Sequence, residues 1–542
     1  MPANGRTSQC TNFVREIWPL AYKVAEAFPK SNCQQVRDNP AMTVATTYSS
    51  AELGIDAPLV IVEADVSSGL PQTLIVGLPE TAVRESKDRV KAAIVSSGFD
   101  FPLKRITVNL APADLPKSSG RYDLAIALSI LAASGQIPDG KIEEFELLGE
   151  LSLTGSLRAV RGVLPAALRS KGGSRRLIVP VANSDEAALA QTNHVLVANT
   201  LGAVVAHLIA DEPLIAPTPG KRTVRRFAPL ADVIGQAAAK RALCIAAAGG
   251  HNMLMIGPPG TGKTMLASRL PGLVPDMDLE ESLEVASIAS VSRHSFDYRQ
   301  WGQRPFRSPH HTASAIAMVG GSSPPKPGEI SLAHHGILFL DEVPEYSRQV
   351  LEVLRQPLES GEIWISRAGV QVRYPASFQL IAAMNPCPCG YYGDERHRCE
   401  CTAERIHRYR NRLSGPLLDR IDLHVEVPPL PPGTLLQSTE KSGVSDKQIR
   451  RRIRLTRDRM INRQGILNSK LTSPGVDKFC KLNRKDQQFL DQSVTRLGIS
   501  TRGYFKILKV ARTIADLANV KNIDTHHLLE AISYRRMDRL SP

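Results

Sequence analysis

The run Gly-Pro-Pro-Gly-Thr-Gly-Lys-Thr at positions 257–264 constrains this chain more than any other feature. The apolar segment Met253–Ile256 precedes it, and a helix-forming stretch that starts at Met265 follows it. A strand, a glycine-rich loop and a helix in this order form a phosphate-binding loop, where backbone N–H groups and the helix N-terminus surround phosphate oxygens. The pattern predicts a nucleoside triphosphate site in an α/β fold.

The predicted cofactors are ATP and Mg²⁺. Lys263 is expected to reach the β- and γ-phosphates, and Thr264 to bind Mg²⁺. The nucleotide-binding residues are those of the loop and the first helical position: Gly257, Pro258, Pro259, Gly260, Thr261, Gly262, Lys263, Thr264 and Met265.

Two further apolar runs end in polar residues. Gly336–Leu340 is followed by Asp341 and Glu342, and Phe378–Met384 is followed by Asn385. Ligand sites form at the carboxyl ends of parallel strands. Asp341 is therefore a candidate to hold Mg²⁺, Glu342 to deprotonate the attacking water, and Asn385 to orient that water or the γ-phosphate. A surface acid pair and a turn asparagine are the alternatives.

Composition narrows the class of protein. The 542 residues carry a formal net charge of +14, which favours an anionic partner larger than a nucleotide. No apolar run reaches the roughly 18–20 residues of a membrane span. The polar first ten residues do not resemble a secretory signal, and eight cysteines do not indicate a disulfide framework. We therefore expect a cytoplasmic protein.

The chain divides into five predicted segments. Residues 1–42 form an extension that we expect to be poorly ordered, and residues 43–215 alternate short strands with helices. A Pro/Gly-containing linker covers 216–226. The nucleotide-binding domain spans 227–430, with inserted loops, and a helical C-terminal domain spans 431–542.

Several elements are predicted closely enough to be tested. Ala82–Ser97 reads as one helix and Leu147–Leu153 as one strand. The C-terminal helices are predicted at Asp446–Arg463, Arg484–Leu497, Thr501–Asn519 and Thr525–Tyr534.

Long strings in the chain resemble a known family. They are TLIVGLPE from Thr73, RPFRSPHHTAS from Arg304, PKPGEISLAHHGILFLDE from Pro325, SGPLLDRIDLHVEVP from Ser414 and ARTIADL from Ala511. By these strings the chain resembles the magnesium-chelatase-like group of AAA+ ATPases and, within it, the ComM/YifB family. The resemblance implies a P-loop AAA+ domain with a parallel sheet, a C-terminal helical lid, and a homo-oligomeric ring, expected to be a hexamer, with ATP at each subunit boundary.

The same resemblance suggests roles for residues outside the phosphate loop. Arg420 matches the finger that reaches a neighbour's γ-phosphate, a task that suits an always-charged guanidinium. Arg502 matches the second sensor, acting on its own or the adjacent subunit's nucleotide. Gly235 and Gln236 match the segment that lies along the adenine. An ordinary surface arginine is the alternative for Arg420 and Arg502.

By resemblance, the function would be that of an ATP-driven DNA motor. Helicase or branch-migration activity would extend joints between incoming single-stranded DNA and the chromosome during natural transformation. The alternative is a magnesium-chelatase-like ATPase that remodels a partner protein.

The segment from Glu362 to Val372 resembles the channel hairpin of replicative MCM helicases. A basic residue near the tip of such a hairpin can follow a nucleic-acid backbone without reading its sequence. Arg367 is the candidate DNA-binding residue. A solvated hairpin charge remains the alternative.

The N-terminal domain resembles the Lon-protease fold, and Leu148–Gly155 carries that similarity. A Lon-type protease needs a Ser nucleophile beside a Lys base. The corresponding positions hold Tyr122 and Leu164. The resemblance therefore implies a non-proteolytic domain.

Four cysteines in a polar loop form two Cys-x-Cys pairs: Cys387, Cys389, Cys399 and Cys401. Four thiolates can enclose a tetrahedral Zn²⁺ with a structural role. Four free thiols are an equal alternative, and His397 is a competing ligand.

Two other groups of residues are left open. The pair His334–His335 is better explained by packing than by a metal, and His310–His311 has no assigned role. The arginines between 450 and 459 are expected on the outer face of their helix, as a solvated or DNA-facing surface.

Overall fold

The computed structural model describes residues 44–78, 80–117, 119–138, 140–210, 212–223, 227–292, 296–322, 324–367, 370–431 and 445–535. The predicted N-terminal extension lies outside these ranges. The chain forms two compact units. Of the described residues, the first contains those up to 222 and those of 289–299, and the second contains those of 223–288 and those from 300 onward.

The first unit is built on a mixed seven-stranded sheet with the order β3-β4-β2-β1-β5-β8-β9. Its strands are β1 Val44–Ser50, β2 Leu59–Ser67, β3 Gln72–Val76, β4 Arg105–Ala111, β5 Phe145–Leu147, β8 Arg176–Pro180 and β9 Val195–Ala198, with β6 Glu150–Leu151 and β7 Leu157–Arg158 as a separate pair. Its helices are α1 Thr81–Arg84, α2 Ser86–Ser96, α3 Asp123–Ala133, α4 Val163–Ser170, α5 Ser184–Ala187 and α6 Leu201–Ile209.

Burial patterns explain this arrangement. Strand β2 alternates between buried and half-buried residues, as expected where the two faces of a sheet differ in their cover. Helix α3 is apolar nearly all round, and its first nine residues are buried. A helix without a polar face belongs in a core, and α3 packs on β1 and β2.

The second unit contains a five-stranded, wholly parallel sheet with the order β11-β14-β17-β10-β18. Its strands are β10 Met253–Ile256, β11 Phe306–Arg307, β14 Ile337–Leu340, β17 Gln379–Met384 and β18 Leu423–Glu426. Two small antiparallel pairs accompany it, β12 Gly320–Gly321 with β13 Lys326–Pro327, and β15 Glu362–Arg367 with β16 Val370–Pro375. Strands β10, β14 and β17 are fully buried, as central parallel strands are.

Helices surround this sheet and fill the C-terminal part of the chain. Those up to residue 418 are α7 Ala237–Gly249, α8 Lys263–Leu273, α9 Leu279–Ser290, α10 Ala315–Val319, α11 Glu329–Leu332, α12 Arg348–Val353, α13 Arg355–Ser360, α14 Ala403–Arg410 and α15 Gly415–Leu418. The C-terminal bundle consists of α16 Asp446–Gln464, α17 Ser473–Phe479, α18 Arg484–Leu497, α19 Thr501–Leu517 and α20 Thr525–Ser533. Apolar residues of α19, including Ile507 and Ile514, join the same core as the parallel sheet.

The predicted fold class is confirmed: an N-terminal α/β unit, a core built on a parallel sheet, and C-terminal helices. The four C-terminal helices that were predicted begin and end within two residues of their predicted bounds, and α17 is a fifth that was not predicted. Two predictions are wrong. The helix predicted at Ala82–Ser97 is two helices that meet at Glu85, and the strand predicted at Leu147–Leu153 is two short strands in different sheets.

Within the described ranges, no helix is both long enough and apolar enough to cross a membrane.

Candidate functional site

The phosphate loop connects β10 to α8. Gly260 and Gly262 have φ angles of +77° and +88°, which side-chain-bearing residues rarely adopt. A Cβ at Gly257 would lie 2.1 Å from the carbonyl oxygen of Val427, the residue that follows the neighbouring strand β18. These positions require glycine because of the backbone path and its close packing against β18.

Lys263 is buried at the start of α8, with its ammonium inside the loop. Its Nζ donates to the carbonyl oxygens of Gly257 at 2.7 Å and Pro258 at 2.8 Å, and to Asn385 Oδ1 at 3.1 Å. Burial lowers the pKa of Lys263, while the carboxylates of Asp341 and Glu342 act in the opposite direction. The side chain is therefore a cation held by neutral oxygens in the position where phosphates are expected.

The residues that follow β14 and β17 lie beside the phosphate loop. Asp341 follows β14, and its Oδ2 accepts a 2.6 Å hydrogen bond from Thr264 Oγ1. Asn385 follows β17 and contacts Lys263. The predicted triphosphate residues of three separate segments are thus brought together at one edge of the sheet.

Glu342 occupies the left-handed region with φ of +50°, and its side chain is half exposed. Its Oε2 lies 3.4 Å from Nδ1 of His311. An open cleft of about 290 Å³ adjoins it, lined by Ser308, Pro309, His310, His311, Asp341 and Glu342. The His310–His311 pair, which the sequence left without a role, therefore lies beside the candidate base.

Gly235 and Gln236 precede α7, both with positive φ. Gln236 Nε2 donates to the carbonyl oxygens of Pro428 at 2.7 Å and Thr261 at 3.3 Å. This side chain joins the segment before α7 to the phosphate loop. The φ of +62° at Gly235 favours glycine, and a Cβ there would lie 2.5 Å from Cδ2 of Leu430, so that side chain would have to shift.

Arg420 and Arg502 meet on one carboxylate that the sequence did not single out. Nη2 of Arg420 lies 2.7 Å from Glu359 Oε1, and Nη2 of Arg502 lies 3.4 Å from the same oxygen. Arg420 also donates from Nη1 to the carbonyl oxygen of Pro416 at 2.6 Å. No local pattern predicts Glu359, because it lies about 60 residues before Arg420 and is adjacent only in the folded chain.

Hydrogen bonds from two side chains hold the backbone of Arg420 in place. Its carbonyl oxygen accepts from Lys506 Nζ at 3.0 Å and from Asn252 Nδ2 at 3.1 Å. Lys506 on α19 also forms an ion pair with the buried Asp422. Burial alone would raise the pKa of Asp422, but the charge of Lys506, with a further contribution from the adjacent His251, outweighs it and holds that pKa well below its usual range.

The four loop cysteines converge. Sγ of Cys387 lies 3.3 Å from that of Cys389 and 3.7 Å from that of Cys399, and Cys389 and Cys399 are 3.6 Å apart. All four sulfurs, including that of Cys401, lie within 4.8 Å of one another. A tetrahedral zinc with Zn–S bonds of about 2.3 Å separates its sulfurs by about 3.8 Å. The arrangement of the four sulfurs is compatible with such an ion.

His397, the competing ligand, instead lies 3.2 Å from Asp394 through Nδ1 and packs on Tyr391. The cysteine loop also reaches the phosphate loop, since a Cβ at Gly390 would lie 2.8 Å from Cδ of Pro259. The cysteine loop therefore packs against the phosphate loop at Pro259.

The pair His334–His335 shares Glu284, whose Oε2 lies 2.9 Å and 2.7 Å from their Nε2 atoms. Nδ1 of His334 accepts the N–H of Ser377 at 3.0 Å, so Nε2 carries the ring proton. Burial, together with the charge of His335, lowers the pKa of His334 to about 4. A protonated Nε2 is not a metal ligand, and the contacts support the packing interpretation.

The prediction that the arginines of α16 all face outward is wrong in part. Arg450, Arg451 and Arg454 are exposed. Arg457 donates twice to the carbonyl oxygen of Ala247 at the end of α7, at 2.7 and 2.9 Å, and Arg459 donates to that of Asp516. The long stems reach around the helix to carbonyl oxygens near the C-terminal ends of neighbouring helices.

Two other predicted positions can be located. Tyr122 and Leu164, which replace the Ser and Lys of a Lon-type protease, are fully buried. Arg367 is the last residue of β15, opposite Val370, and its side chain lies outside the described part of the chain.

Three family models match the chain. "Magnesium chelatase, subunit ChlI" matches residues 229–435, "Subunit ChlI of Mg-chelatase" matches 62–183, and "Magnesium chelatase, subunit ChlI C-terminal" matches 443–535. Together they cover both structural units.

Comparison with individual proteins shows to which branch of these families the chain is most similar. YifB of Escherichia coli is 51% identical over 92% of this chain and 98% of its own length. The competence protein ComM of Haemophilus influenzae is 50% identical over 92% of this chain and 99% of its own length. The magnesium-chelatase 38 kDa subunit of Cereibacter sphaeroides is 25% identical over 37% of this chain and 58% of its own length. The chain therefore belongs to the ComM/YifB family of magnesium-chelatase-like AAA+ proteins.

Proposed function

We propose that this protein is a ring-forming ATPase that uses hydrolysis to move on DNA. The observation that carries the ATPase part is the convergence of Lys263, Thr264, Asp341 and Asn385 at one edge of a parallel sheet. Sites of this composition bind a nucleoside triphosphate by positioning and electrostatics.

The residues fit Mg²⁺·ATP chemically. Thr264 Oγ1 and Asp341 Oδ2 are 2.6 Å apart and supply the hydroxyl and carboxylate oxygens that Mg²⁺ prefers. When bound, Mg²⁺ neutralises phosphate charge. Lys263 already presents its ammonium inside the loop, and ATP binding would replace its contacts to carbonyl oxygens with stronger contacts to phosphate.

Glu342 is the proposed general base, because its half-exposed carboxylate lies beside Asp341 and faces open solvent. A carboxylate there can accept a proton from the attacking water. His311, 3.4 Å away, is positioned to orient that carboxylate. Asn385 would orient the water or the γ-phosphate from the other side of Lys263.

Assembly into a homo-oligomeric ring, which we propose to be a hexamer, would give Arg420 and Arg502 their role. Both guanidinium groups meet at the half-exposed Glu359. An exposed carboxylate holds an ion pair weakly, by about 0–1 kcal/mol. The phosphates of a nucleotide bound to a neighbouring subunit could therefore displace Glu359 from Arg420, as the role of an arginine finger requires.

We propose that DNA is the substrate on which this motor acts, by helicase or branch-migration activity in natural transformation. Three observations support this: the net charge of +14, the hairpin that ends in Arg367, and 50% identity to a competence protein. The magnesium-chelatase subunit matches only 37% of the chain, at 25% identity. That partial match makes the remodelling alternative the weaker one.

The cysteine cluster is proposed as a structural zinc site. The four sulfurs lie close enough together to surround one ion, and a closed four-sulfur site leaves no open position for catalysis. Zinc would hold the loop that follows Asn385 against Pro259 of the phosphate loop.

The test is ATP hydrolysis by the full-length protein with and without single-stranded and branched DNA. We expect DNA to stimulate hydrolysis, and Arg367→Ala to reduce that stimulation while basal hydrolysis is retained. In a six-fold ring the substitution removes six charges from one channel, so the salt dependence of DNA binding should flatten. Arg408→Ala, which removes a well-exposed arginine outside the hairpin, is the matched control. Hydrolysis and binding that are indifferent to DNA would refute the motor.

A further inference from the structure

The hairpin β15–β16 has two unlike faces. On one face lie Ile363, Ile365, Val372 and Tyr374, all buried. On the other lie Trp364, Ser366, Gln371 and Arg373, all exposed. Residues directly opposite each other share a face, and the register pairs Trp364 with Arg373.

The buried face fixes the hairpin to the rest of the second unit. A Cβ at Gly320 in β12 would lie 2.9 Å from Cδ1 of Ile365. Tyr374 donates its hydroxyl to the carbonyl oxygen of Pro325 at 2.9 Å. The outer face is therefore presented by a supported element, and its side chains cannot turn inward without breaking this packing.

Trp364 is 50% exposed on that outer face. An indole that a packed hairpin holds outward can present its ring to a flat partner. The charged and polar residues around Trp364 indicate which kind of ligand the ring would bind. Arg373 is exposed directly across the strand pair, and Glu362 on the same face lies 3.3 Å from its guanidinium. Gln371 and Ser366 add neutral hydrogen-bonding groups next to them.

We propose that Trp364 is a stacking platform for the bases of a single nucleic-acid strand, with Arg373 beside it as a phosphate or base contact. An aromatic ring with adjacent cations is how proteins bind single strands without reading sequence. The Glu362 carboxylate limits Arg373 to a partly neutralised cation, so the indole carries the larger share of binding. This inference rests on the proposed DNA function and adds to it a contact to bases, beside the phosphate contact proposed for Arg367.

Stacking and charge contacts respond to different perturbations. Loss of a stacked base costs about 1–3 kcal/mol, which is about 5- to 150-fold in affinity. It leaves the number of released counterions unchanged, whereas loss of a phosphate contact lowers the salt slope. The two roles can therefore be separated within one hairpin.

The experiment compares binding of the full-length protein to an oligothymidine and to the same strand with abasic positions, which keeps the phosphates and removes the bases. We expect the parent protein to bind oligothymidine at least tenfold more tightly. Trp364→Ala should bind both strands at the abasic level with an unchanged salt slope, and Trp364→Phe should keep most of the difference. Leu529→Ala, which removes an equally exposed apolar side chain on α20, should behave as the parent.

Three outcomes would overturn the inference. The parent protein could bind both strands equally, or Trp364→Ala could keep the difference between them. A change in the sedimentation of Trp364→Ala without DNA would place the indole at a subunit contact instead. Failure to bind either strand would refute the DNA function itself, and the two failures are thus distinguishable.

Discussion

The pair Asp422–Lys506 should behave as one unit that supports Arg420. Asp422 is buried, and besides Lys506 it accepts the N–H of Asn252 at 2.9 Å. Asp422→Asn keeps the shape and leaves the Lys506 ammonium without its partner. Breaking a buried ion pair costs about 3–5 kcal/mol. Because the Lys506 side chain retains some exposure, we expect the lower end, about 3 kcal/mol.

The double variant Asp422→Asn/Lys506→Met provides the measurement. Each single substitution leaves one partner uncompensated, while the double substitution removes both charges. We expect urea unfolding at pH 7 to show a double-variant cost lower than the sum of the single costs by about 2 kcal/mol. Simple addition of the two single costs would refute the coupling.

The pH dependence gives a second check. The pKa of Asp422 is depressed in the folded protein, so its contribution is complete above the unfolded value of about 4 and is lost as the pH falls below it. The stability difference between the parent and Asp422→Asn should therefore shrink from pH 5 to pH 3. A difference that stays constant over this range would show that the carboxylate is not held ionised by its partners.

The remaining predictions concern the site. Lys263→Ala should weaken ATP binding at least tenfold by titration with a fluorescent analogue, because the phosphates lose their cation. Glu342→Gln should bind ATP and turn over about 100-fold more slowly, since only water activation is lost, and a parent rate would exclude Glu342 as the base. Metal analysis should find about one zinc per chain, lost in Cys387→Ser/Cys401→Ser, whereas a metal-free and fully active parent would favour free thiols. Mixing Arg420→Ala with Glu342→Gln subunits should restore part of the hydrolysis, because some interfaces then combine two intact halves. A dilute monomer that hydrolyses ATP as fast as the assembled protein would contradict the shared site.

Local patterns predicted the parts of the fold that local physics determines. The phosphate loop, the buried strand before Asp341 and the strand before Asn385 each carry their own periodicity and ending. Parallel pairing then requires their carboxyl ends to meet, so the convergence on Lys263 follows from the sequence.

Contacts between distant segments could not be predicted in this way. Glu359 has no pattern that connects it to Arg420 or Arg502, and His311 lies beside Glu342 only because β11 pairs with β14. Arg457 turns inward because it donates to a carbonyl oxygen near the end of α7. The sequence of α16 gives no information about where α7 ends, so this contact could not be predicted from it.

Because Arg420 and Arg502 share one oxygen of Glu359, a change in the contacts of one arginine affects how tightly the other is held. If a neighbouring phosphate withdraws Arg420, the same carboxylate remains free to hold Arg502 more closely, and the reverse also follows. Occupancy at one subunit boundary would then shift the resting position of α19, the helix that carries Arg502. Glu359→Gln should remove this exchange, so that cooperativity in ATP hydrolysis falls while the affinity of an isolated subunit for nucleotide stays the same.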